Sequence, residues 1–365
     1  MNNANIPWSG STFEGTGYQN LVGGTAWPAA GSDNNNNVYD LWHAAINSRG
    51  EFFSADSPED LTKAFKDILN RIAERQSTAA ASGSTTSVSA DDPSDPYNLT
   101  IVNRSFFPEF DSSDWSGDVK RRDIERGLNG SYVRREVWSA KAKLNATAEN
   151  GRNILMAGGS AANGLRSFTY DHLTSEQQTL FNVNPDSASG TVDSRGAARV
   201  SYLRGSRAGE GTASTDFRRR GSVLGDIINS TPVVVGAPSY IPYLADDIDG
   251  EDGDYLAFRE ANKDRPELVY VGANDGMLHA FFAGKTATDE NGNETVVHEG
   301  GKEAFAFVPS VLIDKLPKLT AQSYKGGAHQ FYVDGSPVVR DVYINGAWRT
   351  FLISTLRAGG KSVFA

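Results

Sequence analysis

The sequence predicts a mainly β protein with a short α/β segment at its front. From about residue 222 onward, strand-forming runs of roughly five to eight residues alternate with Gly, Asn and Asp turn chemistry. Before residue 76 a strand-like stretch instead runs into an amphipathic helical pattern. Between the two lies a small-residue, polar stretch that breaks the pattern.

The α/β character rests on "EFFSADSPEDLTKAFKDILNRIAERQ" (Glu51 to Gln76). Glu51 to Ser54 reads as a strand. Ser57 suits an N-cap, Pro58 the first helical position, and Asp60 the capping-box spacing. Leu61, Phe65, Ile68, Leu69 and Ile72 then fall on one helical stripe. Residues 1–76 are therefore assigned to one α/β region. Residues 77–97, "STAAASGSTTSVSADDPSDPY", read as a linker, or as a first strand over Thr85 to Ala90.

Residues 98–365 form the β region. "NLTIVNRSFF", "DWSGDVKRRDI" and "SYVRREVW" read as strands, and "LTSEQQTLF" as a short helix with a capping box from Thr174 to Gln177. From residue 222 the pattern reads as β throughout. Asn345-Gly346 is the strongest two-residue hairpin signal, because both positions need positive φ. Asn274-Asp275-Gly276 reads as a similar turn, with Gly276 in the left-handed position and His279 buried and bonded beyond it. Tight hairpins with longer loops between them suit blades of a β-propeller better than a parallel sheet. In "LGDIINSTPVVVGAP", Val233 to Val235 read as a fully buried strand, and Asp226 and Asn229 as local turn ties to backbone.

Composition excludes several chemistries. A net charge of −10 over 365 residues argues against nucleic acid as the main partner. Arg218-Arg219-Arg220, the densest basic run, reads as a solvated loop. The absence of cysteine removes disulfides, thiolate catalysis and Cys-type zinc sites. No apolar run approaches the roughly 18 residues of a membrane span. The opening "MNNANIPWSG" has no signal-peptide pattern and the closing "GGKSVFA" falls within a strand, so both ends read as cuts in a longer protein.

Catalytic anchors do not emerge. His43, His172, His279, His298 and His329 lack metal spacing, and no nucleophile elbow or phosphate loop occurs. "DDIDGEDGD" supplies Asp247, Asp249, Glu251, Asp252 and Asp254 as candidate calcium oxygens, but Asp252 stands where an EF-hand needs its turn glycine. A solvated acidic loop is the competing reading.

Seven stretches, in order, carry a family resemblance: Asp40 to Leu61, "DWSGDV", "YLRG", "FRRRGSVLGDIINSTPVVVGAP", "VYVGANDGMLHAF", "FVPS" and "YVDGSPVVRDVYINGAWRTFLI". Together they resemble the PilY/PilC family of type IV pilus tip-associated proteins. The resemblance implies an exported protein at the cell surface, pilus tip or outer membrane. It implies a von Willebrand A-like region ending near residue 76, then the first quinoprotein-like blades of a C-terminal β-propeller. The implied role is a non-enzymatic pilus-assembly factor and adhesin supporting pilus extension, surface attachment and twitching motility. The implied partners are minor pilins, the pilus machinery, and host-cell or abiotic surfaces. The calcium loop known in that family lies beyond this chain and is not carried over to Asp247–Asp254. "VYVGANDGMLHAF" followed by "GKEAFAFVP" also resembles a blade of pyrroloquinoline-quinone dehydrogenases. A scaffold propeller of the outer-membrane assembly type is a third reading.

Overall fold

Antiparallel pairing between strands close in sequence builds most of this computed structural model. It describes residues 4–9, 11–48, 52, 76–77, 82–92, 95–126, 132–159, 164–238, 248, 254–288, 294–326 and 328–365. The helix expected over 57–72 lies outside the described residues, as does the strand expected at 51–54 apart from Phe52.

Two units divide the chain, Met1–Glu74 and Arg75–Ala365. In the first, α1 (Thr16–Val22) and α2 (Asn37–Ser48) contribute to an aromatic cluster around the fully buried Trp42. Trp8 and Trp27 meet that ring edge-on at 5.0 and 5.9 Å, an arrangement worth roughly 0.5–1.5 kcal/mol per pair beyond burial. The Trp42 indole N–H donates to the Thr12 carbonyl at 3.0 Å, so burial leaves no orphan donor there.

The second unit opens with a five-stranded sheet. Its strands are β1 (Gln76–Ser77), β2 (Gly83–Asp92), β3 (Asp95–Asp111), β4 (Ser116–Arg126) and β5 (Tyr132–Ser139). The long β3 pairs with β1 at its C-terminal end, with β2 along most of its length, and with β4 on its other edge. Thus the small polar residues of 83–92 are a strand, because β3 offers them a continuous ladder that outweighs weak β propensity. Helix α3 (Ala140–Asn145) follows β5 directly. Ser139 caps it by accepting from the Ala142 N–H, and the buried Asp118 accepts from the Lys141 N–H at 2.9 Å.

Next come β6 (Ile154–Ala157), β7 (Leu165–Ser167), α4 (Ser175–Phe181), α5 (Gly196–Arg204), β8 (Glu210–Gly211) and β9 (Phe217–Arg218). The expected Thr174–Gln177 capping box is present at the start of α4. The second sheet adds β10 (Val233–Val235), β11 (Leu268–Gly272), β12 (Leu278–Phe282) and β15 (Glu303–Val308). These four pair antiparallel in chain order, and β6 then joins β15 in parallel, with Ala306 opposite Ile154. A ribbon of β13 (Lys285–Thr288) and β14 (Glu294–His298) projects between β12 and β15 in sequence. The chain closes with β16 (Val338–Ile344), β17 (Ala347–Thr355) and β18 (Val363–Phe364).

Two apolar clusters pack against the second sheet. Val269, Val271 and Phe281 join Phe106, Val119 and Leu224 in one apolar cluster, while Leu278, Ala306 and Val308 join Leu312, Leu316 and Tyr332 in another. Each fully buried Val, Leu or Phe contributes roughly 1.5–3 kcal/mol, so these two clusters are the main source of stability for the unit.

Two expectations are corrected here. The region after residue 222 is not β throughout: α6 (Asp254–Ala261) and a 3-10 run over Ser310–Thr320 interrupt it. In that run Leu312, Ile313, Leu316 and Leu319 recur at spacings of one and three residues and are buried together, a helical spacing hidden by the β-rich context. Val233–Val235 is half-buried, since among the described residues β10 is the terminal strand of its sheet and pairs only with β11.

Candidate functional site

Asn274-Asp275-Gly276 joins β11 to β12. The Ala273 N–H donates to the Met277 carbonyl at 3.0 Å, and Gly276 has a φ of 92°, which a side chain would strain. Asn274 is buried and fixes two distant segments. Its amide donates to Asp226 Oδ2 at 2.7 Å, and its Oδ1 accepts from the Tyr332 N–H at 2.9 Å. The carboxylate of Asp275 accepts from the Gly225 N–H at 2.9 Å and from Nε2 of His279 at 3.1 Å.

From His279 the network runs inward. Its Nδ1 donates to Glu303 Oε1 at 2.8 Å, and Glu303 takes Nε and Nη2 of Arg152 at 2.7 and 2.8 Å. Arg152 also donates to the Arg204 carbonyl at 3.1 Å. The four side chains alternate in sign from the segment before β6 through β15 and β12 to the turn, giving a neutral buried chain. Burial alone would discharge the imidazole, but the Asp275 and Glu303 carboxylates outweigh it and hold His279 protonated up to about 9. Burial would likewise protonate Glu303, yet Arg152 and His279 pull it down to about 2. Asp275 is also held below its ordinary range, against burial, by His279 and the Gly225 N–H.

A second branch leaves Asp226, which accepts from His329 Nε2 at 3.0 Å. The His329 ring stacks on Trp115 at 3.9 Å, and Trp115 has a φ of 55°. Asn229 donates to both oxygens of Asp334 at 3.1 and 2.9 Å, and Ser230 donates to the Gly335 carbonyl. The expected local ties of Asp226 and Asn229 are therefore long-range side-chain bonds instead. Segment 225–230 is clamped between the 274–276 turn and residues 329–336.

The basic run is another correction. Arg218 and Arg220 are buried, and only Arg219 is exposed. Arg218 lies over Tyr324 and donates to the Leu319 and Asp114 carbonyls. Arg220 lies 3.6 Å over Tyr202 and bonds Glu210 and the Tyr202 and Ser206 carbonyls.

The remaining predicted residues fall elsewhere. Asn345 and Gly346, with φ of 51° and 71°, turn the β16–β17 hairpin between the paired Ile344 and Ala347. His43 stacks on Trp27, His298 on Phe282, and His172 bonds the Ser167 carbonyl, so the five histidines do not converge. Asp247, Asp249, Glu251 and Asp252 lie outside the described residues, and Asp254 opens α6. Among the described residues no cluster of three His, Asp or Glu side chains is arranged to hold a metal ion. No described helix is long and apolar enough to cross a membrane.

Residues 224–365 match the family model of the PilY1 β-propeller domain. The chain is 48% identical over 361 residues to the type IV pilus biogenesis factor PilY1 of Pseudomonas aeruginosa strain PAO1, covering 98% of this chain. The chain belongs to the PilY1 family. It is also 43% identical over 362 residues to the protein of that name in strain UCBPP-PA14, and 33% identical over 315 residues to a PilY1 homolog of Xylella fastidiosa. It spans 29% of the length of the two Pseudomonas relatives and 22% of the Xylella one. The crystal structure of the P. aeruginosa PilY1 C-terminal domain is 46% identical, covers 36% of this chain and 21% of that chain, and superposes with a TM-score of 0.24. In this PilY1-family chain the matched propeller region begins at Leu224, immediately before the clamped segment. It contains Asp226, Asn274, His279 and Glu303, whereas Arg152 reaches the network from outside it.

Proposed function

We propose that this chain is part of a type IV pilus biogenesis factor, exported to the cell surface, that works without catalysis in pilus assembly and surface adhesion. The observation that carries this reading is the 48% identity across 98% of the chain to a named pilus biogenesis factor. The buried network supports it, because its charged groups neutralise one another and hold three segments of a β framework together. On this reading residues 1–76 are the end of a von Willebrand A-like region and the second sheet supplies quinoprotein-like blades. The partners are minor pilins and the pilus machinery, with host or abiotic surfaces as the adhesion target.

The test is an in-frame deletion of the full gene in its own bacterium, complemented in trans. Loss of surface pili, twitching and attachment, restored by the gene, is expected. Unchanged piliation and attachment would overturn the reading.

A further inference from the structure

Among the described residues β5 is the terminal strand of its sheet, and the β13–β14 ribbon faces it across a groove of about 660 Å³. That volume lies within the roughly 300–1,000 Å³ of sites that hold a ligand. Trp138 forms its base, with the indole N–H bonded to the Ala283 carbonyl at 3.1 Å. Val137 and Val296, 37% and 68% exposed, line it as apolar contacts that the chain itself leaves uncovered. Five cationic side chains line it as well, Arg104, Arg121, Arg135, Lys143 and Lys285; Arg104, Arg121 and Lys143 are ion-paired with Glu267, Asp123 and Glu299, so the positive excess falls on Arg135 and Lys285 against Glu136. This excess of positive charge sits on a chain whose net charge is −10. The buried Nε of Arg104 has no acceptor.

We propose that this groove is a strand-addition site for an extended acidic segment of a partner protein. A terminal strand offers a backbone edge that a partner strand can extend. Charge selects an acidic occupant, and the two valines select apolar side chains at alternate positions. The inference stands on the groove itself and holds whichever protein supplies the strand.

The probe is a capped, fluorescent synthetic peptide of alternating Glu and Val, about eight residues long, titrated into the purified chain. Saturable binding that weakens with added salt, and by about tenfold in K285E, is expected. Lys285 is exposed, and K285E is checked for native circular dichroism; V296D, at another exposed position, gives a second variant and is also expected to weaken binding. A peptide of the same sequence with alternate backbone N–H groups methylated keeps its charges but cannot pair, and it is expected not to bind. Absence of binding by the unmodified peptide overturns the proposal. Equal binding of the methylated peptide, or of the unmodified peptide to both variants, overturns it too.

Discussion

His279 stands between two carboxylates, its Nδ1 2.8 Å from Glu303 and its Nε2 3.1 Å from Asp275, with no exposed surface of its own. A neutral imidazole has one N–H and could satisfy only one of them, so this position requires the imidazolium. The residue couples the 274–276 turn to β15 and, through Glu303, to Arg152 on the segment before β6.

Replacing His279 with Phe keeps the ring volume and leaves Asp275 and part of Glu303 without a buried partner. A loss of about 3–5 kcal/mol in unfolding free energy is expected by urea denaturation. A loss below about 1 kcal/mol would show that the network contributes little.

The same pair gives stability a pH window. The pKa of His279 is raised to about 9, so its contribution is complete below the ordinary histidine range and is lost as pH rises through 9. That of Glu303 is lowered to about 2, so its contribution is complete above the ordinary carboxylate range and is lost as pH falls through 2. Thermal unfolding followed by circular dichroism should show Tm falling from about pH 6.5 to about pH 9 in the native chain. That alkaline fall should be much reduced in H279F.

The two turn glycines should respond differently to alanine. Gly346 has open space around it, so G346A meets only backbone strain and costs about 1 kcal/mol. In G276A the new methyl would lie 2.3 Å from Leu316 Cδ2 in the core, adding an overpacking cost of roughly 1–3 kcal/mol. Equal losses in denaturant midpoints would contradict the packing at Gly276.

Adjacent arginines should separate as well. R220K keeps a charge but loses the fork that reaches Glu210 and two carbonyls, a change of about 2–3 kcal/mol. R219K, at an exposed position, should stay within about 0.5 kcal/mol. Chemical denaturation of the two variants side by side decides this.

Local chemistry made the hairpins legible. Asn345-Gly346 and Gly276 have the positive φ that their residue types favour, and Thr174 and Gln177 form the cap their spacing predicts. These features involve neighbours within a few residues, so sequence alone suffices. The strand of Gly83–Asp92 was legible only as an alternative to a linker, over Thr85 to Ala90, and the burial of Arg218 and Arg220 and the long reach of Asp226 and Asn229 were not legible in the same way. Each depends on a partner outside the segment itself: β3 for the strand, Leu319 and Tyr202 for the arginines, His329 and Asp334 for the clamp.

The sequence by itself therefore determined the mainly β character, the turns and the family, because periodicity, turn chemistry and ordered motifs are local records. Only the tertiary structure decided which polar residues are buried and what they bind. A histidine at position 279 reads as an ordinary core residue until β12, β15 and the turn bring two carboxylates to its ring. The charge of that imidazole belongs to the packing, since without Asp275 and Glu303 beside it burial would leave the ring neutral.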